Sequence, residues 1–203
     1  MKWKIALALA SAITLPLASV WAAQGSSVRI QVVDARGLPV SGAVVEVEPA
    51  AGHTGAIRFP WHMAMAQKDQ QFTPGTLVVA KGSTVAFPNL DTVRHSVFSF
   101  SKPARFEIDL YGRDQTRSQF FGSTGTVALG CNIHDNMQGF IRVVDTPYAA
   151  KTDRNGVFSA ASVPLGAARV TVWHPRLRAP GNEKRYTLNL TGSVSRKVSV
   201  ELR

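Results

Sequence analysis

The sequence predicts an all-β protein built from packed antiparallel sheets. Short runs rich in Val, Thr and Phe alternate apolar and polar residues with period two. Gly, Pro, Asn and Asp punctuate them at close intervals, as turns between strands do. After the first 22 residues roughly 180 remain, enough for one large or two small hydrophobic cores.

Residues 1–22 read as an export leader. Lys2 and Lys4 precede an apolar stretch from Ile5 to Leu17, and Val20-Trp21-Ala22 is a small-residue cleavage site. Ser11, Thr14 and Pro16 interrupt the stretch, which falls short of the roughly 20 apolar residues a spanning helix needs. The expected mature chain is exported to the periplasm with no membrane span. The formal charge of +10 becomes +8 once Lys2 and Lys4 are removed with a leader that holds no acid. Such a surface favours acidic partners. The basic residues are scattered and form no recognisable nucleic-acid module, which excludes nucleic acid as the partner.

In the segment 26–50, Val28, Ile30 and Val32 alternate with Arg29 and Gln31, and Ala43, Val45 and Val47 with Val44, Glu46 and Glu48. With the turn residues Asp34 to Pro39 between them, these predict a short antiparallel pair. Residues 51–69 form a connecting loop with a helical turn over Trp61 to Ala66, and His53 is a solvated loop residue. His62, Met63 and Met65 are soft donors of the kind that could hold a Cu(I) ion of their own, although methionine also fills core gaps.

Over residues 70–145 strands are expected at Leu77–Ala80, Thr84–Phe87, Ser96–Phe100, Phe106–Leu110, Thr126–Leu129 and Phe140–Val144. Phe87, Phe98, Phe106, Phe120 and Phe140 are assigned to the core. Lys102, Arg105, Arg113 and Arg117 fall on a solvated face. In the tail, 146–203, strands are expected around Val170–Trp173, Tyr186–Leu190 and Val194–Leu202, and Asp153-Arg154-Asn155-Gly156 is a hairpin signal. His174, before Pro175, has no partner in sequence that would make it a ligand.

The chemistry concentrates in Gly130-Cys131-Asn132-Ile133-His134-Asp135-Asn136-Met137-Gln138-Gly139. Cys131 is the only cysteine, and an exported chain with one unpaired thiol needs a reason to keep it. A thiolate, an imidazole and a thioether on one loop suit copper, whereas structural zinc prefers more thiolates and rarely a thioether. Two histidines and a cysteine with a weak axial methionine form a blue-copper electron-transfer site. The loop supplies Cys131, His134 and Met137, and His95 is the candidate for the fourth position.

At these residues the chain resembles the cupredoxins, the type 1 blue copper proteins. The Cys131-x2-His134-x2-Met137 spacing is similar to that of amicyanin-like members of this amicyanin/plastocyanin-like group. Phe87-Pro88-Asn89-Leu90-Asp91-Thr92-Val93-Arg94-His95-Ser96-Val97 resembles the strand and turn carrying the first histidine ligand. Gln71-Phe72-Thr73-Pro74 and Val79 to Val85 resemble the family's opening strands. The wider pattern, with Trp173-His174-Pro175 in the tail, is similar to periplasmic proteins labelled methylamine utilization proteins. The resemblance implies a Greek-key β-sandwich over 70–145 holding one type 1 copper through His95, Cys131, His134 and Met137. It also implies single-electron transfer between redox partners, a dehydrogenase and a c-type cytochrome, and no enzymatic activity. One departure is Ser96, where small cupredoxins carry an asparagine that ties the two ligand loops together; the resemblance leaves the loop's rigidity open there.

The flanks resemble carboxypeptidase regulatory-like, or transthyretin-like, domains, in Val33 to Val40 with Gly42-Ala43-Val44-Val45 and again in Thr152 to Phe158 with Val163-Pro164-Leu165-Gly166. This implies one small sandwich formed by 26–50 and 146–203, with the copper region inserted between them. A copper carrier or storage protein using the same ligands without redox cycling is the rival function. A copper enzyme would need further histidines, and only His53, His62 and His174 remain, widely spaced.

Overall fold

The computed structural model describes residues 25–203, so the expected leader lies outside the described residues. Strands are numbered in chain order, and among the described residues the only helical element is a 3-10 turn at Pro180–Asn182. The chain is all-β. β1 (Ser26–Val33) lies between β13 (Val157–Val163) and β16 (Ser193–Ser199). A second sheet runs β12 (Ala149–Lys151), β2 (Val44–Pro49), β14 (Gly166–Trp173), β15 (Glu183–Leu190). A third runs β5 (Thr76–Ala80), β11 (Gln138–Val144), β10 (Gly125–Gly130), β7 (His95–Ser99), β8 (Phe106–Tyr111). Two short ladders complete the set, β3 (Ala66–Lys68) with β4 (Gln71–Thr73) and β6 (Ser83–Pro88) with β9 (Thr116–Phe121).

Side-chain alternation sorts these strands into three apolar layers. Val28, Ile30 and Val32 of β1 face Val45 and Val47 of β2 and Val170 and Val172 of β14 in one core. Val79, Val85, Phe87, Val97, Val127, Leu129, Ile141 and Val143 form another, which also receives Cys131 and Met137. The opposite faces of β2, β14, β5 and β11 meet each other, through Val44, Val78, Val144, Ala149 and Trp173, with Phe59, Trp61 and Phe140 packed against them. The Trp61 indole N–H donates to the Val78 carbonyl oxygen at 2.8 Å across this layer.

The same layer contains a buried charge cluster. The Arg142 guanidinium of β11 donates to Glu46 of β2, to Glu183 of β15 at 3.0 Å and to Thr126 of β10 at 2.9 Å. Burial pushes the Glu46 carboxyl up, against the pull of Arg142. Burial would also lower Arg142, but the carboxylates more than offset it and keep the guanidinium protonated. With a permanently charged guanidinium bonded to both acids, the ionised arrangement is the satisfied one.

Several expectations change here. β1 and β2 do not pair; they lie in different sheets and face one another across a core. The turn between them is closed by Asp34, whose Oδ1 accepts the N–H groups of Arg36 and Leu38, so the chain turns a corner instead of returning beside itself. The turn at Asp153 is likewise a corner between sheets, not a hairpin: Asp153 Oδ1 accepts from the N–H groups of Asn155 and Val157. Gly156 there has φ +70, and a Cβ would strike the Val32 carbonyl oxygen. Two ladders are parallel, β1 with β16 and β5 with β11, in otherwise antiparallel sheets. The helical turn expected over 61–66 is not formed: Trp61 and Met63 are bends, Ala64 bridges Ala86 through backbone hydrogen bonds of Met63 and Met65, and Ala66–Lys68 of the expected loop is strand β3. Phe120, assigned to the core, is 57% exposed, and its neighbour Phe121 takes the core position, because on β9 it is Phe121 that faces inward.

Arg142→Met is expected to destabilise the protein by about 3 kcal/mol, since it leaves Glu46 buried without its cation. Adding Glu46→Leu to it should recover most of that loss. Denaturant unfolding of the single and double variants checks both.

Candidate metal centre

Three side chains converge where β7 begins and β10 ends. His95 is the first residue of β7, Cys131 follows β10 directly, and His134 lies in the loop before β11. Their ligating atoms all lie within 4.8 Å of one another. Cys131 Sγ is 3.8 Å from His95 Nδ1 and 3.6 Å from His134 Nδ1, so both imidazoles turn the same ring nitrogen inward. The two rings stand 4.7 Å apart, tilted by 49°. Cys131 and His95 are buried; His134 is the half-buried member, beside Ile133, which is 51% exposed.

Local sequence explains the convergence. In a regular strand successive side chains point to opposite faces, yet His95 and Ser96 both reach Cys131. The register of β7 against β8 slips between His95 and Val97, and such an irregularity re-aims a side chain. Ser96 Oγ accepts the Asn132 N–H at 2.9 Å and lies 3.8 Å from Cys131 Sγ as a donor. The serine therefore ties the segment carrying His95 to the segment carrying Cys131 and His134. Asn132 Nδ2 adds a second link, to Glu107 on β8 at 3.0 Å.

Glycines bracket the loop for a steric reason. A Cβ on Gly130 would meet the Phe98 ring at 2.5 Å, and one on Gly139 would meet Phe72 at 2.9 Å. Between them the loop turns at His134, whose carbonyl oxygen accepts the Met137 N–H at 2.9 Å. Met137 is buried in the same core as Cys131, and both line one cavity.

The donor set fits copper. One thiol and two imidazole nitrogens, with a thioether on the same loop and no carboxylate in the cluster, match the soft and borderline ligands that copper takes. Zinc would ordinarily add a further thiolate or carboxylate.

The remaining candidates are placed elsewhere. His62 is exposed and lines a groove with Ala64 and Ala66, whereas Met65 is fully buried and Met63 packs on the core. With His62 at the surface and the two methionines on the core, the three do not form a second copper site. His174 Nδ1 accepts the Arg176 N–H at 3.2 Å, and burial, with Arg176 beside it, pushes its imidazole below the ordinary value. It joins no ligand cluster among the described residues. Ser96 and Asp91 are the residues of the site that pattern reading undervalued. Asp91, four residues before His95, accepts from its Nε2 at 2.7 Å; a carboxylate spaced to reach that histidine was the available signal.

No protein-family model matches the chain, and no curated protein does. Among solved structures it is similar to an oxidized amicyanin mutant, with 22% identity over 41% of this chain and 82% of that one at a TM-score of 0.39. A reduced amicyanin mutant gives 20% identity over 51% of this chain and 99% of that one, at 0.39. A purple cupredoxin from Nitrosopumilus maritimus gives 18% over 40% and 98%, at 0.36.

Ser96→Ala is expected to cost about 1–2 kcal/mol, because the Asn132 N–H loses its acceptor in a half-buried position. Faster hydrogen exchange at the Asn132 amide, with exchange in the β1–β13 ladder unchanged, would show that the loss is local to the loop.

Proposed function

We propose that this chain is an exported, periplasmic type 1 copper protein of cupredoxin type that passes single electrons between redox partners. His95, Cys131 and His134 would be the strong ligands and Met137 the weak axial one. The observation that carries the reading is that both imidazoles present Nδ1 to one buried thiol, on segments tied together by Ser96. Copper held there would supply a one-electron couple at a site whose ligands already stand in place.

The residues divide the work. Burial of Cys131 and Met137 shields the thiol from solvent and oxidants. The sheet holds His95 and the glycine-bracketed loop holds the other ligands, which limits rearrangement between oxidation states. His134, half-buried beside Ile133, is the electron's way out. The mature surface, positive by sequence, suits an acidic partner; the resemblance of the Cys131–Met137 loop to amicyanin-like proteins suggests a dehydrogenase donor and a c-type cytochrome acceptor. The flanking strands, β1, β2 and β12–β16, we read as a regulatory-like sandwich into which residues 70–145 are inserted. It stiffens the back of the metal unit through the Arg142 layer. A carrier that binds and surrenders copper is the alternative; separation of His62 from Met63 and Met65 removes the additional soft site it would have used.

Cys131→Ser should abolish the intense visible thiolate-to-Cu(II) absorption even where some copper still binds. Met137→Leu should keep the colour and raise the reduction potential, since a thioether stabilises Cu(II) modestly and leucine donates nothing. His95→Ala should lose both colour and tight binding; retention of both would reduce the site to a chelate made by the loop alone. A chelator that strips copper from the unaltered protein within seconds would instead favour the carrier.

A further inference from the structure

Asp91 is tied more heavily than a loop carboxylate needs to be. Its Oδ2 lies 2.7 Å from His95 Nε2 and 2.9 Å from the Gln70 N–H, and its Oδ1 accepts the Asp69 N–H at 2.6 Å. Its own N–H donates to Asn89 Oδ1 at 2.9 Å, and Asn89, fully buried, donates through Nδ2 to the carbonyl oxygens of Val93 and Tyr111. The loop from β6 to β7 is thus fastened at both ends, and one carboxylate gathers three donors.

Two of those donors come from an uncommon turn. Asp69 and Gln70, which join β3 to β4, have φ values of +53 and +55. A two-residue turn with both central residues left-handed normally favours Asn-Gly or Gly-Gly, and glutamine there is disfavoured. Unfavourable backbone of this kind persists where its surroundings over-determine it, often at functional sites. Here the conformation aims two consecutive N–H groups at Asp91. Three donors converging on one carboxylate are what an ionised acceptor, with two oxygens, takes. Asp91 is an anion at neutral pH.

We propose that Asp91 is a positioning residue for the metal centre: fixed by the Asp69-Gln70 turn, it binds the His95 Nε2–H, keeps Nδ1 facing Cys131 before metal arrives, and holds one negative charge beside that ring. Ligand histidines commonly give their second N–H to such a partner, which orients the ring and raises its basicity. The β3–β4 hairpin, which contributes no ligand, then acts on the site through one side chain. The positioning part stands on these hydrogen bonds, and only the effect of the charge on a potential rests on the copper reading above.

The test uses the metal-free mature chain and its copper-loaded form, each as wild type, Asp91→Ala and Asp91→Asn. Without metal, proton NMR of the wild type should show a slowly exchanging His95 ring N–H downfield of the amides. Asp91→Ala should lose it, and the Asp69 and Gln70 amides should exchange at least about tenfold faster, as loss of a charged acceptor implies. Asp91→Asn should keep the fold if the alanine variant does not. Its amide has one acceptor oxygen for three donors, so at least one of those three protons should lose protection. With copper, Asp91→Asn should retain the visible band and shift the reduction potential upward, because a negative charge that favours Cu(II) is gone. A ring N–H and turn amides unchanged in both variants would overturn the positioning role. An unchanged potential in a coloured Asp91→Asn protein would overturn the role of the charge. Failure of the wild type itself to take up copper with colour would instead count against the proposed function, and the metal-free NMR would still decide the positioning role.

Discussion

The candidate centre depends on how closely β7 approaches the end of β10. Cys131 leaves β10 one residue after Gly130 pairs with Phe98, and the Phe98 ring occupies the space where any Cβ on that glycine would stand. That contact brings Ser96 within reach of the Asn132 N–H and His95 within reach of the thiol. The slip in register at Ser96 then lets two neighbouring residues serve the same side. Without the close approach, the loop would present Cys131 and His134 but no second imidazole.

The rest of the chain supports that junction from behind. β11 resumes after the loop and carries Ile141 and Val143 into the metal-side core and Arg142 into the opposite layer. A strand covered on both faces cannot tilt without disturbing two packed layers. The charge cluster adds direction to the apolar contact, because Arg142 must find Glu46, Glu183 and Thr126 together. Its worth lies in fixing one arrangement of the layers, since buried ion pairs contribute little net stability over apolar packing.

Much of this was legible in the sequence. Cys131-x2-His134 and the upstream His95 stood out by ligand chemistry, and those three side chains meet. The six strands expected between Leu77 and Val144 fall within one or two residues of those observed, but β9, Thr116–Phe121, was not expected. The errors have common causes. Glu46 alternates with valines as an outward-facing residue would, yet it is buried against Arg142; alternation reports two faces, not which one meets water. The pairing of β1 with β2 was wrong for a related reason, as turn residues fix that the chain reverses but not whether it stays in the same sheet. Phe120 and Phe121 are adjacent, and nothing local chose between them. Ser96 looked like a loss because side-chain type was compared without the backbone irregularity that re-aims it.

The central claim is that His95, Cys131 and His134 hold copper as one thiolate and two imidazoles, and electron paramagnetic resonance of the Cu(II)-loaded mature chain tests it most directly. The account predicts the compressed copper hyperfine splitting that a short, covalent bond to sulfur produces, accompanied by an intense visible band. A broad splitting of the kind given by nitrogen and oxygen ligands, with no such band, would contradict it.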